Sequence, residues 1–567
     1  MNIVENTKKQ IDELINRACE KARSAGELPE GGALSGAVEI PRETAHGDYA
    51  ATHAMAAAKE LRMPPRKIAE AISAHIELDG TYFRSITIAG PGFINFFLSE
   101  KWYSEVLQAV ETMGSDYGSL DIGKGKRVMV EFVSANPTGP MTIGNARGGV
   151  LGDTLASVLE KAGYDVWREF LVNDSGNQIE LFGRSIDARY MQLCLGEENV
   201  EFPDDGYHGD DIKELAKLIY DADGDKFMPL PPEARAAQFV DFALPRNVAR
   251  MKADLERYRI YFNEWFHESQ MHESGYIAET VKLLDEGGLL YEKDGALWLR
   301  NIDLGADKDE VLLRANGFYT YYAADIAYHR NKLARGFEKV IDVWGGDHHG
   351  HAIRMKASLS SKELGESLGV DGEKLDFLIM QMMRLTRDGE TIKVSKRTGK
   401  ALTLGDLLDE ISVDACRFFF SAKPDSHFEF DLGVAVRQDK ENPVYYVQYA
   451  HARTHKLIST LAEDGHAVPS QNDIDTTLLS SAEEQELIKQ IASLPEEIKA
   501  AASDYDPSKI SKYVIELAAR YHRFYYERRI RGEERPLLLA RLKLADATRI
   551  VIKTCLDILG VSAPTKM

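Results

Sequence analysis

The sequence predicts an α/β protein in three parts: a central domain on an open parallel sheet, a small α+β module before it, and an all-α helical bundle after it. Three observations carry this expectation. Residues 128–150 read VMVEFVSANPTGPMTIGNARGGV, an apolar β-branched run, a turn with Asn136, Pro137 and Gly139, then a Gly-rich helix start. A second strand-like run, 165–172, ends in the polar loop Asn173 to Gln178. Beyond about Asp414, segments 443–462, 481–501, 507–529 and 536–559 carry apolar residues at three- and four-residue spacing, as bundle helices require.

The strand–loop–helix at 128–150 is the usual first unit of a Rossmann-like sheet, where free backbone N–H groups and the helix dipole favour phosphate. It matches neither GxGxxG nor GxxxxGKS, so it is not the standard dinucleotide or P-loop motif. In such sheets ligands collect outside the carboxyl ends of strands, so the loops after 128–133 and 165–172 face one site.

At 567 residues the chain is too long for one core. With 44% hydrophobic and 28% charged residues and no apolar run of about 18, it reads as soluble and, by default, cytoplasmic, with no membrane partner. A net charge of −21 argues against indiscriminate nucleic-acid binding but leaves room for local basic patches. Cys19, Cys194, Cys416 and Cys555 are scattered without CxxC spacing and read as buried small hydrophobes.

The expected divisions are 1–120 for the N-terminal module, 121–385 for the central domain, 386–435 for a junction, and 436–567 for the bundle. In the module, helical patterns at 4–25, 52–61 and 65–76 surround strand-like runs at 37–40, 86–89 and 93–98. Phe93 and Phe96 could stack on bases, although aromatics on a short strand are more often core. Residues 114–127 read as a linker. An acidic, Pro- and Gly-punctuated insertion at 187–248 shows no catalytic pattern and reads as accessory surface.

Tyr321 and Asp325, four apart on a helix, share a face and can hold a cationic group. The strand 339–344 ends in GGDHHGH; adjacent histidines on one loop rarely converge on one ion, so polar contacts to a nucleotide are the better reading and no metal site is expected. TIKVSKRTGK, residues 391–400, is a compact basic loop suited to polyphosphate.

TIGN (142–145) and KVSK (393–396) resemble the HIGH and KMSK signatures of class I aminoacyl-tRNA synthetases. With VSANPTGP, VNDSGNQ, WGGDHHG, NPVYYVQYAHAR, HGDYA and GPGFINF in order, the chain resembles the arginyl-tRNA synthetase family along essentially its whole length. The resemblance implies ATP-dependent activation of L-arginine and transfer to the terminal ribose of tRNA(Arg), with Mg2+ accompanying ATP and no structural metal. It assigns Thr142, Gly144, Asn145, Lys393, Ser395 and Lys396 to catalysis, and Asn136, Glu268, Tyr321, Asp325 and His348 to the substrate arginine. Phe93 and Asn95 in the N-terminal module and Tyr449, Arg453, Tyr526 and Met567 in the anticodon-binding bundle become tRNA contacts. Arg453, Arg520, Arg523, Arg528, Arg529 and Arg531 are expected to form a basic surface for phosphates. A monomer is expected. Both HIGH histidines are absent, which keeps a catalytically silent tRNA-binding paralogue as the rival. A synthetase for another amino acid is disfavoured, because Glu268 and Asp325 suit a cation.

Overall fold

The computed structural model describes residues 2–392, 402–422 and 424–567. The N-terminal module is a four-stranded antiparallel sheet in the order Val38–Glu39, Tyr49–Ala51, Phe93–Leu98, Phe83–Ala89. The amphipathic Ile3–Ser24 helix buries Ile11, Ile15, Ala18 and Cys19 in the core, joined by Ile68 and Ile72 of Pro65–Ala74. A further helix, Glu100–Met113, follows the last strand, and its buried Trp102 donates to the Thr7 hydroxyl at 2.8 Å.

The stretch read as a linker is anchored. Tyr117 is fully buried and donates to the Ile491 carbonyl of the bundle at 3.2 Å. Asp48, from HGDYA, accepts the Leu98 N–H at 2.8 Å and pairs with Lys489 of the bundle at 2.5 Å. Module and bundle therefore share one continuous apolar core.

The central sheet is parallel, ordered Leu375–Met380, Lys339–Gly345, Arg127–Glu131, Asp165–Val172, Glu264–His267. Chain order reverses between Arg127–Glu131 and Lys339–Gly345, so the switch point, where such sheets take ligands, lies beyond their carboxyl ends. Sequence pattern had located neither the edge strand Leu375–Met380 nor the pairing of Glu264–His267.

The insertion is helical and larger than expected. Asn177–Leu195, Asp210–Asp223 and Pro232–Arg257 enclose their own core, including Phe182, Tyr190, Ile212 and Phe239. Cys194, in the first of these helices, is only half-buried, unlike the other three cysteines. A three-stranded antiparallel sheet, Leu290–Lys293, Ala296–Leu299 and Glu310–Leu313, precedes the Tyr321–Ala334 helix.

The junction adds Met383–Arg387, paired parallel with Phe428–Asp431, and the helices Leu404–Glu410 and Val413–Phe420. The bundle comprises Pro443–Glu463, Ala482–Ala492, Leu494–Asp504, Ser508–Glu527 and Arg535–Ile558. The single helix expected over 481–501 is two, because Pro495, in the first turn of the second, cannot donate a backbone hydrogen bond to the first. Among the described residues no helix is long and apolar enough to cross a membrane.

Candidate active site

The site starts from a strained turn after the Arg127–Glu131 strand. Val133 and Ser134 have φ of 70° and 39°, left-handed values uncommon for residues with a Cβ. The Ser134 N–H donates to the Phe132 carbonyl at 3.0 Å, closing a tight turn around Val133. The Ser134 hydroxyl donates to Glu131 at 2.6 Å and accepts the Leu171 N–H at 3.1 Å, which pins the turn to the neighbouring strand. Asn136 is thereby carried to the loop after Asp165–Val172, where its amide donates to Gln178 Oε1 at 2.6 Å.

Beneath this turn lies a buried charge cluster. Lys332 Nζ donates to both Asp342 oxygens at 2.9 and 2.8 Å and to Glu131, and His329 Nε2 donates to Asp342 Oδ2 at 2.8 Å. Lys332 holds Asp342 below its usual range, whereas burial pushes Glu131 up. Three elements are locked together by charges that have no water to fall back on. His329 also contacts the Asp325 carbonyl through Nδ1 at 2.7 Å, linking the cluster to the pocket above.

That pocket is acidic. Glu268 opens a short helix at the end of Glu264–His267, and Asp325 lies one turn into Tyr321–Ala334, whose first turn is capped by the Thr320 hydroxyl. Burial, then the nearby charges of Asp325 and Asp174, push the Glu268 carboxyl up to about 7. Asp174 is well satisfied, accepting from His267 Nδ1 at 2.7 Å and from the Ser269 N–H and hydroxyl, each at 2.9 Å. Glu268 in turn lies 3.3 Å from His272 Nε2. Carboxylates close enough to raise one another's charging cost are a receptor for positive charge.

Two members of the pocket lay hidden in the sequence. Asp174 stood only within a polar loop, although its position at a strand end was a signal. The histidine on Asp325 is His351, not His348: its Nε2 donates to Asp325 Oδ2 at 2.7 Å, and its ring stacks on Trp344 at 5.4 Å and 15°. The His348 side chain is 60% exposed and lies 3.6 Å from Asp347. Tyr321 is 63% exposed, its ring 5.5 Å from that of His351 at the pocket mouth.

The strained turn leads on to the Ile143–Lys161 helix. Thr142 is its N-cap and forms a capping box with Asn145: the Thr142 hydroxyl accepts the Asn145 N–H at 3.4 Å, and Asn145 Oδ1 accepts the Thr142 N–H at 2.9 Å. An added Cβ at Gly152 would lie 2.2 Å from the Phe132 ring, so this glycine lets the helix pack on the turn. Ile143, Gly144, Arg147, Met380, Met382 and Ile392 are among the residues lining a cavity of about 370 Å³ between this helix and the edge strand. Lys393, Ser395 and Lys396 lie outside the described residues. The chain that follows them returns to this place: the Leu404 N–H donates to the Met141 carbonyl at 2.8 Å, and Thr403 pairs with Thr142. Two capped helix starts thus stand side by side. Among the described residues no three His, Cys, Asp or Glu side chains are placed to hold a metal ion.

Three family models match the chain: the arginyl tRNA synthetase N terminal domain over residues 9–98, the catalytic domain of class I (R) tRNA synthetases over 107–217, and the DALR anticodon binding domain over 447–567. The arginine–tRNA ligases of Acetivibrio thermocellus and Ruminiclostridium cellulolyticum are each 50% identical to it, over 100% of both chains compared. The chain belongs to the arginyl-tRNA synthetase family. The fold agrees with that of the Thermus thermophilus arginyl-tRNA synthetase, with a TM-score of 0.73 at 21% identity, covering 99% of this chain and 100% of that one.

The surfaces that the family resemblance assigns to tRNA are less uniform than expected. Phe93 is half-buried, and Asn95 is 2% exposed within the module sheet, so its side chain is not on the surface. Phe96 is core. In the bundle, the Arg453 guanidinium lies 4.5, 4.8 and 4.9 Å from the rings of Tyr449, Tyr525 and Tyr526 and donates to the Tyr449 and Tyr526 hydroxyls at 3.0 Å each. Tyr526 is 72% exposed and Met567 is exposed at the chain end. The expected basic surface is largely neutralised: Arg520 pairs with Glu486 at 2.6 Å, Arg523 with Glu483 at 3.2 Å, Arg528 with Glu483 at 2.6 Å, and Arg531 with Asp464 at 2.9 Å. What the bundle presents is an aromatic face with balanced charge around it.

Proposed function

We infer that the chain is a class I arginine–tRNA ligase: it joins L-arginine to ATP as arginyl-adenylate, releasing pyrophosphate, and passes the arginyl group to the terminal ribose of tRNA(Arg). The observation that carries the reading is the coupled trio Glu268, Asp325 and Asp174 on the carboxyl side of the same sheet whose switch point leads into the capped helix start. A guanidinium needs planar acceptors, which the carboxylates of Glu268 and Asp325, the Asn136 amide and the Tyr321 hydroxyl supply. His351 orients Asp325, and Asp174 holds the loop that bears Glu268.

ATP, with Mg2+ bound to its phosphates, takes the cavity beside Gly144, its phosphates toward the start of the Ile143–Lys161 helix. Lys393 and Lys396, with Ser395 between them, neutralise charge that develops during adenylate formation, and Asn145 contributes a neutral amide. Attack by the arginine carboxylate and then by the ribose needs no enzyme nucleophile, so positioning and electrostatics carry the catalysis. We further propose the division 1–120, 121–385, 386–435 and 436–567, a cytoplasmic monomer, and an activation step that requires bound tRNA.

The test is aminoacylation of total tRNA with each amino acid in turn. Charging with arginine alone is the expected result. No charging at all would leave the silent tRNA-binding paralogue, and charging with another amino acid would remove Glu268 and Asp325 from the specificity pocket.

A further inference from the structure

We propose that Arg417 is a positioning residue for arginylation, coupling the C-terminal tail to the helix that starts the ATP site. This rests on the functional reading above and goes beyond it, since Arg417 lies outside the proposed arginine and ATP sites and outside the motifs that assign them. Its guanidinium is fully buried where three parts of the molecule meet. Nη2 donates to Asp153 Oδ2, on the Ile143–Lys161 helix, at 2.5 Å. Nε donates to the carbonyl of Leu559, just past the last bundle helix, at 2.9 Å, and Nη1 to the carbonyls of Tyr258 and Arg259 at 3.2 Å each.

The tail turns directly against this group. Gly560 has φ 65°, and a Cβ there would lie 2.3 Å from the guanidinium. Two residues on, the Ser562 N–H donates to Asp414 Oδ1 at 3.0 Å and its hydroxyl donates to the same carboxylate. Asp414 also accepts from Gln448 at 2.9 Å and from Arg259 at 2.6 Å. Gln448 adjoins Tyr449 on the helix carrying the aromatic face, and His451, on the same helix, donates through Nδ1 to the Pro564 carbonyl at 2.8 Å. A shift of the tail or of that helix therefore changes the acceptors around Arg417. Of the groups Arg417 holds, Asp153 is the one on the Ile143–Lys161 helix, where it also accepts from Arg168 at 3.2 Å. A displaced Arg417 pulls on Asp153, and a helix moves as a rod, so its start, about 15 Å away, moves with it. Buried ionic contacts of this kind have few intermediate arrangements, which suits them to hold one of two placements.

The test uses the full chain with two variants. Ser562→Ala removes an exposed hydroxyl from Asp414 and leaves the core intact, and Arg417→Lys keeps the charge but offers one nitrogen to four acceptors. A synthetic anticodon stem-loop of tRNA(Arg) should alter backbone hydrogen exchange in residues 147–161 of the unmodified chain and not of Ser562→Ala. Ser562→Ala should also lower the kcat of arginylation about fivefold, the scale of one ordinary net hydrogen bond, with KM for arginine and ATP retained. Arg417→Lys should do the same more strongly; if it does not fold, Ser562→Ala decides alone. Exchange that ignores the stem-loop in the unmodified chain, exchange that persists in Ser562→Ala, or an unchanged kcat in that variant would overturn the proposal. An unmodified chain that charges no tRNA fails earlier, removing the functional reading and the proposal with it.

Discussion

In the proposed arginine pocket the Glu268 carboxyl is pushed up to about 7 by burial, then by the charges of Asp325 and Asp174. A guanidinium pairs with the ionised form, so arginine must expel any proton it finds there. With a midpoint near 7, about nine-tenths of the group is ionised at about pH 8 and about one-tenth at about pH 6. kcat/KM for arginine should therefore fall about tenfold between those values, equivalent to about 1.4 kcal/mol. Glu268→Gln should be poor and flat across this interval, and Asp325→Asn, which removes one of the raising charges, should move the midpoint downward. The same proton governs the stability of the protein without arginine. The folded state holds it up to about pH 7, while the unfolded chain releases it near the ordinary value of 4.5. The folded state is thus penalised above pH 7 by up to about 3 kcal/mol, and the penalty disappears as pH falls toward 4.5. Glu268→Gln should accordingly be the more stable protein at about pH 8, by up to about 3 kcal/mol, and gain nothing in acid. Steady-state kinetics and denaturant melts across pH measure both effects. An arginine profile without a step in the unmodified enzyme, or the same step in Glu268→Gln, would refute the reasoning.

Thr142→His, restoring an imidazole beside the phosphates, should keep or raise the arginylation kcat at saturating ATP but give up the cap, raising the ATP KM and lowering stability by about 1 kcal/mol in a denaturant melt. Lys332→Met should destabilise by about 3–5 kcal/mol in the same assay, since it strands Asp342 and Glu131 in the core. Tyr526→Ala should raise the tRNA KM by the equivalent of about 1–3 kcal/mol, the scale of one base stack. The salt dependence of that KM should be shallow, because four of the bundle arginines are already paired.

What the sequence revealed and what it hid divide along physical lines. The runs 93–98 and 165–172 were legible because β-branched and aromatic residues crowd a short stretch, and the observed strands Phe93–Leu98 and Asp165–Val172 match them. The insertion was not, because its helices expose wide polar faces and one contains Pro245, so local composition resembled a loop. Tyr321 and Asp325 were legible as a pair because helix spacing alone places them together. Asp174 with His267, and Asp325 with His351, were not, because each pair joins separate strand ends or helices that only the sheet's register brings within 2.7 Å.

The departure at TIGN shows how one motif reads differently in three dimensions. Taken singly, Thr142 and Asn145 each lack an imidazole, and each loss weakens the claim to phosphate chemistry. Together they are one device: the hydroxyl of the first and the amide oxygen of the second satisfy each other's backbone N–H groups. A box of this kind fixes the first turn and leaves the Ile143 and Gly144 amides among the orphan donors of the helix start. Those amides sit at the positive end of the dipole, at the mouth of the cavity that Gly144 keeps open. On the function proposed above, phosphate binding then depends on backbone held rigid by the cap, and the charge that imidazoles would supply falls to Lys393 and Lys396. Breaking the cap should for that reason hurt ATP binding more than any loss of hydroxyl contact, so Thr142→Ser should behave as the unmodified enzyme does, while Thr142→Val, close to it in shape, should raise the ATP KM several-fold, roughly as a 1 kcal/mol cap predicts.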